Sequence, residues 1–335
     1  MKERINWIDW AKSWCMTVVV FDHTPHDSNP FLLQFLAGTN LATFFFISGY
    51  LKKPAISQEE SLKKYFYGII IPYFLYNFIY YPYWFTKSYI QHGRVTIETS
   101  IKPILGTLLG QLDSSFSTSL NGVTWFLLSL FIMHIITDYC NRCKHRVFIM
   151  MSISILSMIL YGANKYLNYA PYLTFHGLVR CLPFFFLGHL MRESKWLKEI
   201  RFIRELGIGI MAMATSLLLF YWHINVYNSV FHIILYFVVN IISIFAVISF
   251  WRCLNRIRLN IIFWISIGTM MIFGLHRMII GIIDFSLEKF FHINDITYTT
   301  LGAMFITIAI ELFLLPFIYY TYRHALIFLG KRKTL

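Results

Sequence analysis

The sequence predicts an all-α, polytopic membrane protein of about ten transmembrane helices, with both termini on the cytoplasmic side. Three observations lead there. Of the 335 residues, 57% are hydrophobic and only 13% charged, whereas a soluble domain carries about 25% charged residues. Ten apolar segments follow one another, most of them near the roughly 20 residues that cross a bilayer as a helix. Basic residues then gather in alternate connections, as the bias of Lys and Arg toward cytoplasmic loops requires.

The segments fall near 7–24, 31–51, 66–86, 123–140, 147–162, 172–191, 206–223, 229–250, 260–283 and 299–322. The first lacks an A-x-A-like cleavage site and runs straight into further spans, so it is expected to stay as a helix. The second ends "FFFISGYLKK". There Ser48-Gly49 permits close approach of a neighbouring backbone, and Lys52 and Lys53 mark the cytoplasmic boundary. The third leads into the longest loop, 87–122, expected outside. Within it Ile97, Ile101, Ile104, Leu105, Leu108 and Leu109 follow amphipathic spacing, ahead of the polar stretch "DSSFSTSLNG". Both a short interfacial helix and a passive surface loop fit that spacing.

The fourth segment ends in a basic loop with Cys140, Cys143 and His145. A zinc site usually needs four ligands, and no second Cys pair accompanies this one, so reduced thiols are expected and no metal. The fifth span is short. The sixth carries Arg180, the ninth His276 and Arg277, and the tenth Glu311, before a basic tail at 323–335. No appended soluble unit or internal repeat is visible, so residues 1–335 read as a single membrane domain.

With the N-terminus inside, the inner segments hold 21 Lys and Arg and the outer segments five: Lys87, Arg94, Lys102, Lys165 and Lys289. Dropping one helix would scramble this alternation. The net charge of +13 therefore belongs to topology, and nucleic acid is not an expected partner. The 33 Phe, 21 Tyr and 9 Trp suit lipid-facing and interfacial positions in a bilayer.

Three cations remain, Lys12, Arg180 and Arg277, all inside spans. A charge within the bilayer is costly and normally faces the bundle interior or a water-filled cavity. Lys12 and His23 are eleven residues apart. That is three helical turns plus about 20°, and about 16 Å of rise, so they share a face. Asp9 lies three residues before Lys12 on that face and could neutralise it. Two readings fit: Lys12 snorkels to the inner headgroups while His23 ends the helix, or both line one cavity. Asp22 reads as an outer-boundary residue. Arg180 is open to an ion pair with Glu311 or to binding an anion. His276 and Arg277 are neighbours on one helix and point about 100° apart. His134, His176 and His189 read as structural.

These residues resemble acyltransferase family three, the integral-membrane O-acyltransferases. Lys12-x10-His23 is similar to the family's Arg/Lys-x10-His signature, and "FFFISGYL" at 44–51 to its second-span Phe-Phe-x-x-Ser-Gly segment. "TWFLLSLF" at 124–131, "LPFFFLGHLM" at 182–191 and "GLHRM" at 274–278 resemble further segments in order. The opening "WIDWAKSW", with Lys in place of Arg, looks most like the branch related to fucose 4-O-acetylases. That replacement keeps the charge but removes bidentate phosphate recognition.

The resemblance implies transfer of an acyl group, usually acetyl, from cytoplasmic acyl-CoA to a hydroxyl of an envelope glycan or lipid-linked sugar precursor. The expected setting is the bacterial cytoplasmic (inner) membrane. On this reading His23 and Lys12 are the catalytic pair, with His23 the base for the acceptor hydroxyl. Lys12, Arg180 and Ser48 bind acetyl-CoA or another acyl-CoA donor, and His276 and Trp125 bind the acceptor. His276 is equally open to an interhelical hydrogen bond, and Trp125 to the interfacial belt. A covalent acyl-His step and direct transfer both fit.

The rival from another class is a flippase for lipid-linked saccharides. Such carriers use Gly/Pro-broken helices and repeat symmetry, and neither is visible in the sequence. A polysaccharide polymerase would carry arginines in its large outer loop, and 87–122 holds only Arg94 as arginine.

Overall fold

The computed structural model describes residues 5–53, 57–94, 96–110, 120–167, 174–225, 230–293 and 296–331. These residues form helices and no strand beyond an isolated bridge between His26 and Tyr298. In chain order they are α1 (Asn6–His23), α2 (Pro30–Leu51), α3 (Gln58–Tyr65), α4 (Ile71–His92), α5 (Ile97–Ser100), α6 (Lys102–Leu108), α7 (Trp125–Arg142) and α8 (Arg146–Leu167). Then follow α9 (Phe175–Met191), α10 (Lys195–Lys198), α11 (Phe202–Asn225), α12 (Val230–Cys253), α13 (Asn260–Phe291) and α14 (Thr300–His324).

Among the described residues, seven helices are long and apolar enough to cross a membrane: α2, α7, α8, α11, α12, α13 and α14. The other three expected spans are helices too, and each falls short for a chemical reason. The 18 residues of α1 include Asp9, Lys12 and Asp22. In α4, tyrosines, Pro82 and Asn77 dilute the apolar content, and α9 has 17 residues.

The polar residues of α1 explain why it sits at the centre, against α2, α12, α13 and α14. Ser13 donates to the Ile262 carbonyl at 2.9 Å, Lys12 Nζ to the Ser266 carbonyl at 2.8 Å, and Ser266 Oγ to Asp9 at 2.6 Å. Thr17 Oγ1 donates to Glu311 Oε1 at 2.9 Å. Buried polar groups in a lipid setting need such partners. The end of α1 is also tied down. The backbone of Asp27 donates to Tyr298 at 3.1 Å, and Tyr298 to Pro25 at 3.0 Å. The Asp27 carboxylate accepts from the Thr300 amide at 2.9 Å.

The expected close approach at Ser48-Gly49 is met by α9. A β-carbon on Gly49 would fall 1.9 Å from the Phe185 carbonyl oxygen, and one on Gly188 at 1.9 Å from the Phe46 carbonyl oxygen. The two helices therefore touch backbone to backbone. By contrast α8, α11 and α14 turn large apolar side chains outward, such as Phe148, Ile203 and Phe305.

Two expectations change. Lys52 is not a headgroup cation: it is buried, ion-paired with Asp138 at 2.7 Å and hydrogen-bonded to the Tyr65 hydroxyl at 3.2 Å. Ser61 completes the cluster by donating to Asp138. The amphipathic stretch of the long loop is two short helices, α5 and α6, because Pro103 can only open a helix there. Its six apolar residues are all exposed. The stretch "DSSFSTSLNG" lies mostly outside the described residues, as do Lys2, Arg4, Arg332 and Lys333.

Candidate functional site

A cavity of about 820 Å³ runs along α1, lined by Ile5 and by α1 residues as far as His23, and by α2 residues from Ala37 to Leu51 with Lys53 just past its end. Eighteen residues of α1 correspond to about 27 Å of helix, close to the thickness of a bilayer's hydrocarbon core. Most of the wall is apolar, supplied by residues such as Met16, Val19, Phe44, Ile47 and Phe273. Polar side chains mark the two ends. Asp9, Lys12, Lys53 and Lys331 lie toward the start of α1, and Asp22 and His23 toward its finish, with Asn40 lining the wall from the middle of α2.

Five of the six expected site residues line this space: Lys12, His23, Ser48, Trp125 and Arg180. The helical face shared by Lys12 and His23 is therefore a cavity wall. Lys12 is half-buried, held by Ser266 and through it linked to Asp9.

His23 Nδ1 lies 2.7 Å from the Val19 carbonyl. A carbonyl oxygen only accepts, so Nδ1 carries the proton and Nε2 of the neutral ring keeps its lone pair. His276 packs against this ring edge-on, with centroids 5.0 Å apart. Its own Nδ1 is held by the carbonyls of Ile272 at 3.0 Å and Phe273 at 2.9 Å.

His276 is fully buried and lies outside the cavity lining. It stands behind His23, so the structure does not bring it to the cavity surface with the other expected site residues. Arg277 is exposed while His276 is buried, so the two diverge as their adjacency on a helix requires.

Arg180 lines the cavity, with a partner other than Glu311. Its Nε donates to the Tyr236 hydroxyl at 2.5 Å, and Glu311 is engaged by Thr17 instead. Nor does it share the Lys12 end. It lies eight residues before Gly188, about 12 Å along α9, and meets the first half of α2 near Ala37 and Gly38. That is the His23 half of the cavity. Trp125 is a wall residue whose ring presses on Gly177, which places it in the bundle and not in a peripheral belt. Ser48 Oγ is occupied by the Phe44 carbonyl at 2.8 Å.

A family described as an acyltransferase domain, acyltransferase family three, matches residues 5–319. The chain belongs to this family. The matched region includes all six expected site residues, while Lys331 of the cavity wall lies beyond it. No curated protein and no solved structure matches the acyltransferase.

Sequence reasoning passed over Asn40, Lys53 and Lys331. Asn40 is buried, lines the acyltransferase cavity, and neither amide atom finds a hydrogen-bond partner among the described residues. Its signal was an amide at the centre of an apolar helix, a costly choice in a bilayer. Lys53 and Lys331 carried no separable signal, because they belong to runs that topology alone would demand.

Proposed function

We propose that this acyltransferase moves an acetyl group from cytoplasmic acetyl-CoA to a hydroxyl of an envelope glycan or its lipid-linked precursor. In this reading ten helices span the bacterial cytoplasmic membrane and both termini face the cytoplasm. One observation carries it: a single cavity reaches along α1 from Lys12 to His23. A donor held at one end and an acceptor at the other can meet inside it.

The three lysines at the start of α1 suit the phosphates of the donor, and the apolar wall suits the thioester arm. His23 Nε2 takes the proton of the acceptor hydroxyl as its oxygen attacks the thioester carbonyl. The new C–O bond forms, the C–S bond breaks, and the proton passes to the departing thiolate. The Val19 carbonyl accepts from Nδ1–H throughout. It holds the ring in the basic tautomer and stabilises the imidazolium. His276 acts as a positioning residue against the back of that ring.

The test compares envelope glycans from cells with and without the gene. Loss of an alkali-labile O-acyl group supports the assignment. Intact O-acylation with impaired glycan export would favour the flippase reading. Lys12→Met, which keeps the apolar stem, is expected to raise the KM for acetyl-CoA by about ten- to a hundredfold through loss of a charge-assisted contact. Lys12→Arg should recover most of it. Unchanged donor kinetics in Lys12→Met would remove Lys12 from the donor site.

A further inference from the structure

A second pocket, about 290 Å³, opens beside the cavity between α2, α8, α9, α11 and α12. It shares Ala37 and Arg180 with the larger space. A group seated in it therefore adjoins the His23 half.

Its chemistry is one-sided. Lys165 and Arg180 bring two permanent cations, His223 and His232 bring two imidazoles, and no carboxylate lines it among the described residues. The cations are held in place by neutral groups. Lys165 Nζ donates to His232 Nε2 at 2.8 Å, and His232 Nδ1 donates to the His223 carbonyl at 3.1 Å. The two imidazoles stack at 3.9 Å. Arg180 donates through Nε to Tyr236, a neutral phenol. Two buried polar atoms add to this. His223 Nδ1 and Thr39 Oγ1 are buried, and neither has a hydrogen-bond partner among the described residues. Buried polar atoms are normally satisfied, and a bound oxygen-rich group would supply what both lack.

We infer that this side pocket binds an anionic oxygen group of the acceptor, a carboxylate or phosphate carried by the saccharide, and so selects an acidic acceptor over a neutral one. The inference rests on the acyltransferase reading for the word acceptor, and on the pocket alone for the anion. A neutral sugar would leave the half-buried Arg180 guanidinium without a counter-charge in a confined space, where unpaired charge is costly. The exposed Lys165 adds a second cation at the rim. At about 290 Å³ the pocket lies at the low end of ligand sites, suited to one charged unit and not to a whole glycan. Tyr161 and Tyr236, with rings 5.4 Å apart, give that unit an apolar wall.

The experiment measures binding without any donor. Purified protein in phosphatidylcholine nanodiscs is titrated with a uronic-acid oligosaccharide, its carboxyl-reduced neutral counterpart, and inorganic pyrophosphate. The expected result is at least tenfold tighter binding of an anionic ligand than of the neutral one. Lys165→Gln and His223→Gln should each remove most of that ratio. Lys165 is exposed, so its replacement leaves the fold alone. Preference for the uronic acid assigns the anion to the sugar, and binding of pyrophosphate alone assigns it to a phosphate-linked carrier. Equal binding of all three, or a preference indifferent to both variants, overturns the inference. Label transfer from acetyl-CoA is followed in parallel. Its failure with anion binding intact would reject the acyltransferase mechanism while leaving the pocket's ligand class standing.

Discussion

His23→Ala is expected to lower kcat for acyl transfer by about 10²- to 10⁴-fold, the usual contribution of a positioned general base. The chain should still insert and fold. His23 lines an existing cavity, so deleting its ring enlarges open space and creates no new void in the packed core. His23→Gln should be equally inactive, because an amide can hydrogen-bond to the acceptor but cannot take its proton. The assay follows label from acetyl-CoA into glycan, beside size-exclusion chromatography and thermal unfolding in detergent. Full activity with a normal melting profile would remove His23 as the base. His276→Phe keeps a ring against His23, and a fall in kcat with unchanged acceptor KM would mark His276 as a positioning residue.

Gly188→Ala is expected to disrupt assembly rather than chemistry. The added methyl would lie 1.9 Å from the Phe46 carbonyl oxygen, far inside the 3.0 Å that β-carbons essentially never breach. The obstacle is backbone, so no rotamer change relieves it and α2 must part from α9. Overpacking typically costs about 1–3 kcal/mol, and a clash between two main chains belongs at the top of that range or above. Gly49→Ala meets the reciprocal clash with Phe185 and should behave alike. Gly207 on α11, with nothing within 4 Å of its would-be β-carbon, is the matched control. Gly207→Ala should be neutral or slightly stabilising, because alanine loses less backbone freedom in a helix. A wild-type melting temperature for Gly188→Ala would refute the close seam.

Activity should fall with assembly in the seam variants. α2 carries Asn40 and Ser48 into the cavity and α9 carries Arg180. The Gly49–Gly188 contact thus sets the spacing between residues that no single helix could hold together.

Much of this was legible from the chain. Hydropathy marked ten segments, since a segment that must leave water shows it in composition. All ten contain helix, and among the described residues seven of those helices are long and apolar enough to cross a membrane. Helical period put Lys12 and His23 on one face, because eleven residues close almost three whole turns whatever lies around them. The motif order led to the family that matches residues 5–319. All of these are local properties, written within a few turns of one helix.

Other assignments depended on distant parts of the chain. Lys52 looked like a boundary lysine until Asp138 arrived beside it, and Arg180 was open to Glu311 until Tyr236 took its Nε. His276 could have met substrate, yet the packing of α13 on α1 set it behind His23. Asn40 gained meaning only as part of a cavity wall. Hydropathy separates water from everything else, but in a bilayer lipid and neighbouring helix are equally apolar. Which face of each helix meets protein, and which buried charge finds which partner, is settled by packing between segments up to 294 residues apart, as in Thr17 and Glu311.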